Sequence, residues 1–368
     1  MALTLKNFRA VGLGDPAELH VGDDGLILAQ AAEGAEAVDC GGRFLSPGWC
    51  DLHVHVWHGG TDISVRAVQA GRPTGVTAMA DAGSAGEASF HGFREYVIQP
   101  ASETIKAFLN IGSIGLVACN RVPELIDLRS IDIDRTLDVV EANRDVICGI
   151  KVRASGVIVG SWGITPAKIA KRVAEIARLP LMVHVGEPAP LIDEVFDILG
   201  PGDIVTHCFN GKRAGSISDT PALFRQAREL AQAGVIMDIG HGQASFSFET
   251  ARRAVSEGFL PDTISTDLHL RNVNGPVHDL ALTASKLLAV GLDFDACIGA
   301  ITTRPREVLG LPCAAAPGMR ADFTVFDMVE SDEVATDSEG AKLALNRMLE
   351  PHLTVLGHSV QQAGRRLP

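Results

Sequence analysis

The sequence lacks the cysteine spacing and the long apolar runs that mark several classes of protein. Its seven cysteines form no C-x-x-C pair and mostly lie in apolar segments, so we expect them to be reduced and mostly buried. The N-terminal MALTLKNFRA has no apolar region of a secretory signal, and no charge-free apolar run is long enough to cross a bilayer. We therefore expect a cytoplasmic protein without a membrane partner.

Positive charge is also scarce. Acidic residues number 45 against 32 basic ones, which gives a formal charge of −13, and the basic residues form no patch or run. Such a chain repels phosphate backbones, so we expect no nucleic-acid partner. There is no internal repeat or low-complexity tract, and 46% hydrophobic residues in 368 allow a substantial core. We expect a globular protein; a homo-oligomer stays open.

From residue 48 onward, apolar runs of strand length alternate with segments of helical period, such as Pro166–Arg178, Pro190–Leu199 and Pro221–Ala233. This alternation is typical of an α/β protein with a parallel sheet, and residues 48–310 are close to the roughly 250 of a (β/α)₈ TIM-like barrel. No G-x-G-x-x-G follows the first strand, so a doubly wound sheet fits less well. The predicted strands are Asp51–Val56, Val76–Asp81, Lys106–Ile111, Val146–Val152, Leu181–Val185, Asp203–Cys208, Val235–Ile239 and Thr263–Asp267.

The two chain ends differ from this pattern. Residues 1–47 contain short β segments between Gly and Asp turns, and Arg320–Met328 indicates one more strand. We predict that residues 1–47 and 311–368 together form a small β-sandwich-like domain beside the barrel of residues 48–310. Within the last forty residues, Gly340–Leu349 suggests a helix, and the final Arg-Arg-Leu-Pro is expected to fray.

A His-x-His pair lies in the first barrel strand. In an extended strand Asp51, His53 and His55 share one face, while Leu52, Val54 and Val56 share the other. Two imidazoles on one face are able to bind one metal ion. Two histidines by themselves are also compatible with an ordinary strand that binds no metal. Further ligands are needed to distinguish a metal site from such a strand.

Four more polar residues supply them. Lys151, His184, His207 and Asp267 each end an apolar run, and functional side chains of such barrels lie at the C-terminal ends of strands. Six residues of ligand or ligand-forming type at strand ends predict a metal site.

Lys151 needs its own explanation, because a buried ammonium beside metal ions is both desolvated and repelled. A neutral amine that adds carbon dioxide becomes a carbamate, an anion whose two oxygens are able to bridge two divalent ions. A carbamate, one carboxylate and a hydroxide leave a net charge of about one on two such ions. The alternative is that Lys151 is an ordinary substrate-binding ammonium.

The sequence resembles the amidohydrolase superfamily, and within it the binuclear members with a carboxylated lysine. The resemblance covers nearly the whole chain, from PGWCDLHVH through Lys151, HVGEP, THCFNGK and STDLH to PGMRADFTVFD. It implies that His53, His55 and Asp267 hold one metal ion, that His184 and His207 hold the other, and that carboxylated Lys151 bridges them. The metal that the resemblance implies is zinc.

The resemblance also implies a reaction. The closest subgroup is deacetylase- or dihydroorotase-like, so we expect hydrolysis of an amide or ester acyl bond of a small acylated amino or hydroxy acid. A metal-bridging hydroxide would attack, and Asp267 would serve as general base and then general acid. Hydrolysis of a cyclic amide, as in dihydroorotases and hydantoinases, is the alternative.

Two further readings remain open. His184-Val-Gly-Glu187 is similar to the stretch of mononuclear purine deaminases in which the glutamate donates a proton, although a mononuclear site needs no bridging Lys151. A non-catalytic metal-binding barrel would have no reason to keep Asp267 together with every ligand.

Substrate contacts are predicted from strand period and position. Arg153 and Ser155 share the face of Lys151, and His269 shares that of Asp267; His241 and Asn210 follow the seventh and sixth strands. Arg153 would hold a substrate carboxylate about 6–7 Å beyond Lys151. The alternative is that Arg153 pairs with a loop carboxylate such as Glu187.

Overall fold

The computed structural model describes residues 1–366, and its strands form two large sheets and one hairpin. Apolar, β-branched runs bounded by glycine and proline supply most of them. The strands are β1 (Leu3–Ala10), β2 (Leu19–Val21), β3 (Ile27–Leu28), β4 (Glu36–Pro47), β5 (Trp49–Val54), β6 (Val76–Gly86), β7 (Thr104–Asn110), β8 (Ile147–Arg153), β9 (Leu181–His184), β10 (Ile204–Thr206), β11 (Ile236–Asp238), β12 (Asp322–Glu330), β13 (Val334–Thr336), β14 (Lys342–Ala344), β15 (Arg347–Leu356) and β16 (Ser359–Gln362).

Most helices follow the strands β5 to β11 along the chain. The Thr220 side chain caps the helix that starts at Pro221, as the Thr-Pro pair predicts, by accepting a hydrogen bond from the Leu223 amide. The predicted helix Pro190–Leu199 is shorter than expected. The helices are α1 (Ala67–Ala70), α2 (Phe90–Phe93), α3 (Ile133–Ala142), α4 (Gly156–Val159), α5 (Thr165–Ala177), α6 (Ile192–Phe196), α7 (Pro221–Gln232), α8 (Phe248–Ser256), α9 (Leu280–Ala289), α10 (Phe294–Ile301) and α11 (Thr303–Val308). Among residues 1–366, no helix has the length and apolarity that a membrane span requires.

Strands β5 to β11 pair in chain order and in parallel, as the alternation of strands and helices predicts for a barrel. The predicted eighth strand, Thr263–Asp267, is not a regular strand. It nevertheless closes the gap between β11 and β5 through parallel bridges that pair Asp238 with Thr263 and Val54 with Leu268. Asp267 has a φ of 50°, a left-handed value that interrupts extended pairing.

The other large sheet has the order β16-β15-β12-β4-β1-β2-β3, so both chain ends contribute to it. Leu5, Leu45 and Phe323 are among the buried side chains that form its own apolar cluster. The division of the chain into residues 1–47 plus 311–368 and residues 48–310 stays a prediction.

The last forty residues correct one prediction. Gly340–Leu349 is not a helix, because Lys342–Ala344 pairs with β13 and the residues from Arg347 onward pair with β12. The hydrogen bonds of this strand pairing override the local helical preference. The predicted fraying does not extend to Arg365, which pairs with Glu333, or to Arg366, whose amide donates to Asp279. Leu367 and Pro368 lie outside the described residues.

Strand β5 contains an extra residue relative to β6, between Asp51 and Val54. Cys50 and Leu52 therefore pack in the barrel interior, while the next inward side chain is His53 rather than Val54. The prediction that Leu52 shares a face with Val54 is wrong for this reason, because strict alternation stops at the bulge. The bulge places an apolar layer directly beneath the histidines.

Candidate metal and active site

A cavity of about 240 Å³ opens at the C-terminal ends of the barrel strands. The barrel geometry brings the ends of separate strands to this one place, as expected for such folds. The predicted metal ligands and three of the five predicted substrate contacts line it. They are His53, His55, Lys151, His184, His207 and Asp267, with Arg153, Ser155 and His269.

The orientation of His53 follows from a buried hydroxyl. Thr206 Oγ1 donates its hydrogen to Asp238 Oδ2 at 2.7 Å and lies 2.8 Å from His53 Nδ1. A hydroxyl has one hydrogen to donate, so Thr206 must accept from His53, and His53 Nδ1 carries the proton. The lone pair of His53 Nε2 then faces the cavity.

His207 is oriented in the same way, whereas His55 contacts a serine hydroxyl that is able to donate or accept. His207 Nδ1 contacts the carbonyl oxygen of Gly240, which only accepts, so His207 Nε2 is the free lone pair. Thr206 points inward, so in a regular strand the next residue, His207, would point outward. A φ of 67° at His207 turns its side chain toward the cavity instead. His55 Nδ1 lies 2.9 Å from Ser84 Oγ.

The imidazoles of His53, His184 and His207 are held neutral. Burial is the main cause, and it lowers the pKa of His53 and His184 well below the ordinary value and that of His207 to about 3. Metal ions bind neutral imidazole, so no proton has to leave these rings at neutral pH.

Asp267 lies among the histidines. Its Oδ1 is 3.4 Å from His53 Nε2 and 3.1 Å from His55 Nε2. Burial raises the pKa of Asp267, and a hydrogen bond from His55 Nε2–H lowers it. Asp51 fixes the backbone beside it by accepting hydrogen bonds from Thr266. Asp51 does not line the cavity; it stabilises the segment that carries Asp267.

Lys151 reaches the same cluster from β8. Its Nζ is 3.5 Å from His53 Nε2, and its side chain passes Gly83, where an added Cβ would lie 2.6 Å from Lys151 Cγ. Burial lowers the pKa of Lys151 to about 8. A minority of the amine, on the order of a tenth at neutral pH, is therefore uncharged.

The donor set fits a divalent metal ion. Two ligands each about 2.0–2.1 Å from one tetrahedral zinc ion lie about 3.3 Å apart, close to the distances from Asp267 Oδ1 to His53 and His55. Ligand atoms of His53, His207 and Asp267 also lie within 4.8 Å of one another. Neutral imidazoles with one carboxylate are the usual ligands of such ions.

Arg153 lines the cavity, but its guanidinium is engaged. Its Nε and Nη2 both donate to the carboxylate of Glu124, whose side chain is fully buried. A loop carboxylate was one of the two sequence alternatives for Arg153, and the structure supplies Glu124 in place of Glu187.

Glu187 pairs elsewhere. Its Oε1 contacts Lys212 Nζ at 2.5 Å, and its Oε2 accepts a hydrogen bond from Ser155 Oγ at 2.6 Å. Burial disfavours the charge of Glu187, but the hydrogen bonds from Lys212 and Ser155 outweigh burial and lower its pKa. These three side chains lie together at the cavity wall.

Two predicted substrate contacts are placed away from the cavity wall. His241 Nε2 lies 2.8 Å from the buried Lys286 Nζ, and its ring packs on Phe246. Asn210 donates to the His207 carbonyl and accepts from the Lys212 amide, so it shapes the loop after β10. His269 does line the cavity, with its ring centre 6.4 Å from that of His55.

Sequence reasoning missed several residues that support the ligands. Asp238 has a usable signal, because a carboxylate ends the apolar run VIMD just as His184 ends its own strand. The signal for Thr206 is weaker, because it consists only of a hydroxyl residue directly before the proposed ligand His207. Glu124 and Lys212 lie in loops, where no period indicates which way a side chain points.

No family model matches the chain. Curated relatives do match it over nearly the whole length. The deacetylase Atu3266 of Agrobacterium fabrum is 53% identical, with 100% of this chain and 93% of that protein covered. A deacetylase of Brucella anthropi is 55% identical, with 95% of this chain and 89% of that protein covered.

Solved structures agree in fold and differ in the activity they are named for. A crystal structure of a dihydroorotase is 52% identical with a TM-score of 0.96, covering 100% of this chain and 99% of that one. An adenine deaminase is 33% identical with a TM-score of 0.91, covering 98% and 99%. An enamidase described as an amidohydrolase superfamily member has a TM-score of 0.64 at 19% identity over 100% and 97%, which shows the fold alone. With such relatives over nearly its whole length, the chain belongs to the amidohydrolase superfamily, in the same family as these deacetylases.

Proposed function

We propose that this chain is a metal-dependent hydrolase that removes the acyl group from a small acylated amino or hydroxy acid. The observation that supports the proposal most is the meeting of Asp267 Oδ1 with His53 Nε2 and His55 Nε2 at 3.4 and 3.1 Å, inside a cavity. The deacetylase name of the curated relatives points to the same reaction.

A divalent ion bound here would polarise the scissile carbonyl and lower the pKa of a water molecule. The residues of the chain would orient the imidazole ligands and transfer the proton. The hydroxyl of Thr206 and the carbonyl of Gly240 keep His53 and His207 in the tautomers that leave Nε2 free. Asp267, which is partly open to the cavity, would accept the proton of the attacking water and deliver it to the leaving group.

We further propose two ions, with zinc as the metal and a carbamate on Lys151. Burial and a pKa of about 8 favour the reaction of the Lys151 amine with carbon dioxide, which forms an N–C bond and releases one proton. His53, His55 and Asp267 would hold one ion, and His184 and His207 the other. The ring centres of His184 and His207 are 4.4 Å apart, which supports a second ligand pair.

Hydrolysis of a cyclic amide is the second candidate, because a structure named dihydroorotase is 52% identical to this chain. Deamination is less well supported. The glutamate that this reading requires, Glu187, is held by Lys212 and Ser155 instead of meeting the histidine cluster. A non-catalytic barrel would not need a charged Asp267 facing the cavity.

The cellular setting is also a proposal. All seven cysteines, each within residues 1–366, are free, which supports a reducing compartment such as the cytoplasm. The charge of −13 supports the absence of a nucleic-acid partner. A homo-oligomer stays a prediction.

A substrate screen with metal analysis tests the proposal. Protein purified without chelator should contain close to two metal ions per chain by elemental analysis; a reproducible value near one would contradict the binuclear site. The metal-loaded enzyme should hydrolyse N-acetyl amino acids or O-acetyl hydroxy acids. Turnover confined to cyclic ureides would establish the second candidate, and turnover confined to purines would establish deamination.

A further inference from the structure

Three cationic side chains besides Lys151 line the cavity: Arg153, Lys212 and Arg271. An acylated acid carries a carboxylate, and a cation near the metal ligands is the group that would recognise it. The contacts that each cation already makes decide which one is able to take a substrate carboxylate.

Arg153 is poorly placed for this role. Two of its nitrogens donate to Glu124, and the Glu124 side chain is fully buried. A substrate that displaced Glu124 would leave an unpaired charge in the protein interior, which is strongly unfavourable. Arg271 lies exposed in a turn, and its guanidinium already donates to Asn120.

Lys212 differs from Arg153 in the partner it has. Its ammonium contacts one oxygen of Glu187, and the Glu187 side chain is 38% exposed. An ammonium has three donors, and Glu187 is the one carboxylate that contacts it among residues 1–366. If a substrate carboxylate replaces Glu187, the hydrogen bond from Ser155 and the solvent still stabilise Glu187.

The position of Lys212 also suits the role. A Cβ built on Gly186 would lie 3.1 Å from Lys212 Nζ and 3.7 Å from His184 Nε2, so the ammonium lies close beside a predicted metal ligand. The backbone of Lys212 is fixed as well, because Asn210 Oδ1 accepts its amide hydrogen while Asn210 Nδ2 donates to the His207 carbonyl. The backbone of Lys212 is therefore fixed relative to the backbone of His207.

We propose that Lys212 holds the carboxylate of the substrate, and that Glu187 is the internal carboxylate that occupies Lys212 in the free enzyme. This inference rests on the proposed function, since it names how the acylated acid is recognised. Lys212 is then a specificity-determining residue, and Glu187 competes with the substrate for it. Asn210 acts by positioning Lys212.

The competing interpretation is that the Lys212–Glu187 pair only joins the loops after β9 and β10. The two interpretations predict opposite results for Glu187→Gln. If Glu187 competes with the substrate, removing its charge should lower KM for an anionic substrate. If the pair only joins the loops, Glu187→Gln and Lys212→Met should be equally harmful to charged and neutral substrates.

The kinetic experiment uses the best N-acetyl amino acid or O-acetyl hydroxy acid from the screen, together with its primary amide. Lys212→Met should raise KM for the acid about tenfold to a hundredfold, as expected for loss of a charged hydrogen bond, and change KM for the amide less than about twofold. Lys212→Arg should keep most of the preference for the acid. Lys168→Met, which removes an exposed lysine of α5, is the matched control and should leave both KM values unchanged.

A binding measurement separates this inference from the proposed function. Lactate and lactamide are titrated calorimetrically into metal-loaded enzyme, with metal content checked in each variant. Lys212→Met should weaken lactate binding at least about tenfold and leave lactamide binding unchanged. If no acylated acid is hydrolysed while lactate binding still depends on Lys212, the reaction is wrong and the anion site stands. If acylated acids are hydrolysed but Lys212→Met affects acid and amide equally, or wild-type enzyme does not prefer lactate, Lys212 does not hold the carboxylate.

Discussion

Replacement of Thr206 by valine tests how the site is organised. The Thr206 hydroxyl accepts from His53 Nδ1 at 2.8 Å and donates to Asp238 at 2.7 Å, and all three side chains are buried. Valine has nearly the same shape, so the change removes the hydroxyl with little change in packing. It leaves His53 free to rotate or to change tautomer.

The expected cost follows from these bonds. His53 Nδ1–H loses its acceptor, and an unpaired buried donor costs about 1–3 kcal/mol. Asp238 keeps the hydroxyls of Thr263 and Ser265, so its loss is a single hydrogen bond of about 1 kcal/mol. We expect the free energy of unfolding to fall by about 2–4 kcal/mol and the affinity for metal to fall about 10- to 100-fold.

Competition with a chromogenic chelator measures the metal affinity, and denaturant titration measures the free energy of unfolding. Thr206→Ser is the control, because serine keeps the hydroxyl and should retain most of the metal affinity. An unchanged metal affinity in Thr206→Val, with the metal-free protein still folded, would show that the orientation of His53 does not depend on Thr206.

Two further substitutions address the chemistry of the site. Lys151→Ala should lose metal and activity, and short carboxylic acids should restore part of both by filling the space of the carbamate; full activity of enzyme refolded and metal-loaded without carbon dioxide would contradict the carbamate. Asp267→Asn keeps the size and one oxygen ligand but loses the base, so kcat should fall by roughly 10²–10⁴. A loss smaller than about tenfold with metal content unchanged would exclude Asp267 as the base.

The barrel and the meeting of the six proposed ligands at one cavity could be predicted from the sequence, because both depend on local signals. Apolar runs identify the strands, and a polar residue at the end of such a run, like His184 or His207, identifies a site residue. The bulge in β5 was not predictable in this way, since it depends on pairing with β6, and it invalidates strict alternation at Leu52. The partner of Arg153 was not predictable either, because Glu124 lies in a loop about thirty residues away.

The residues that would activate water and those that would select the substrate are held by different parts of the molecule. His53 and Asp267 lie on the barrel, where backbone hydrogen bonds join β5 to the closing segment and a buried hydroxyl fixes the imidazole. Lys212 and Glu187 lie in the loops after β10 and β9, and Glu187 is partly exposed. Substitutions of the Lys212 or Glu187 side chains should therefore change KM and the choice of substrate without loss of metal. One metal site on such a barrel would then be able to serve several hydrolytic reactions on the same fold.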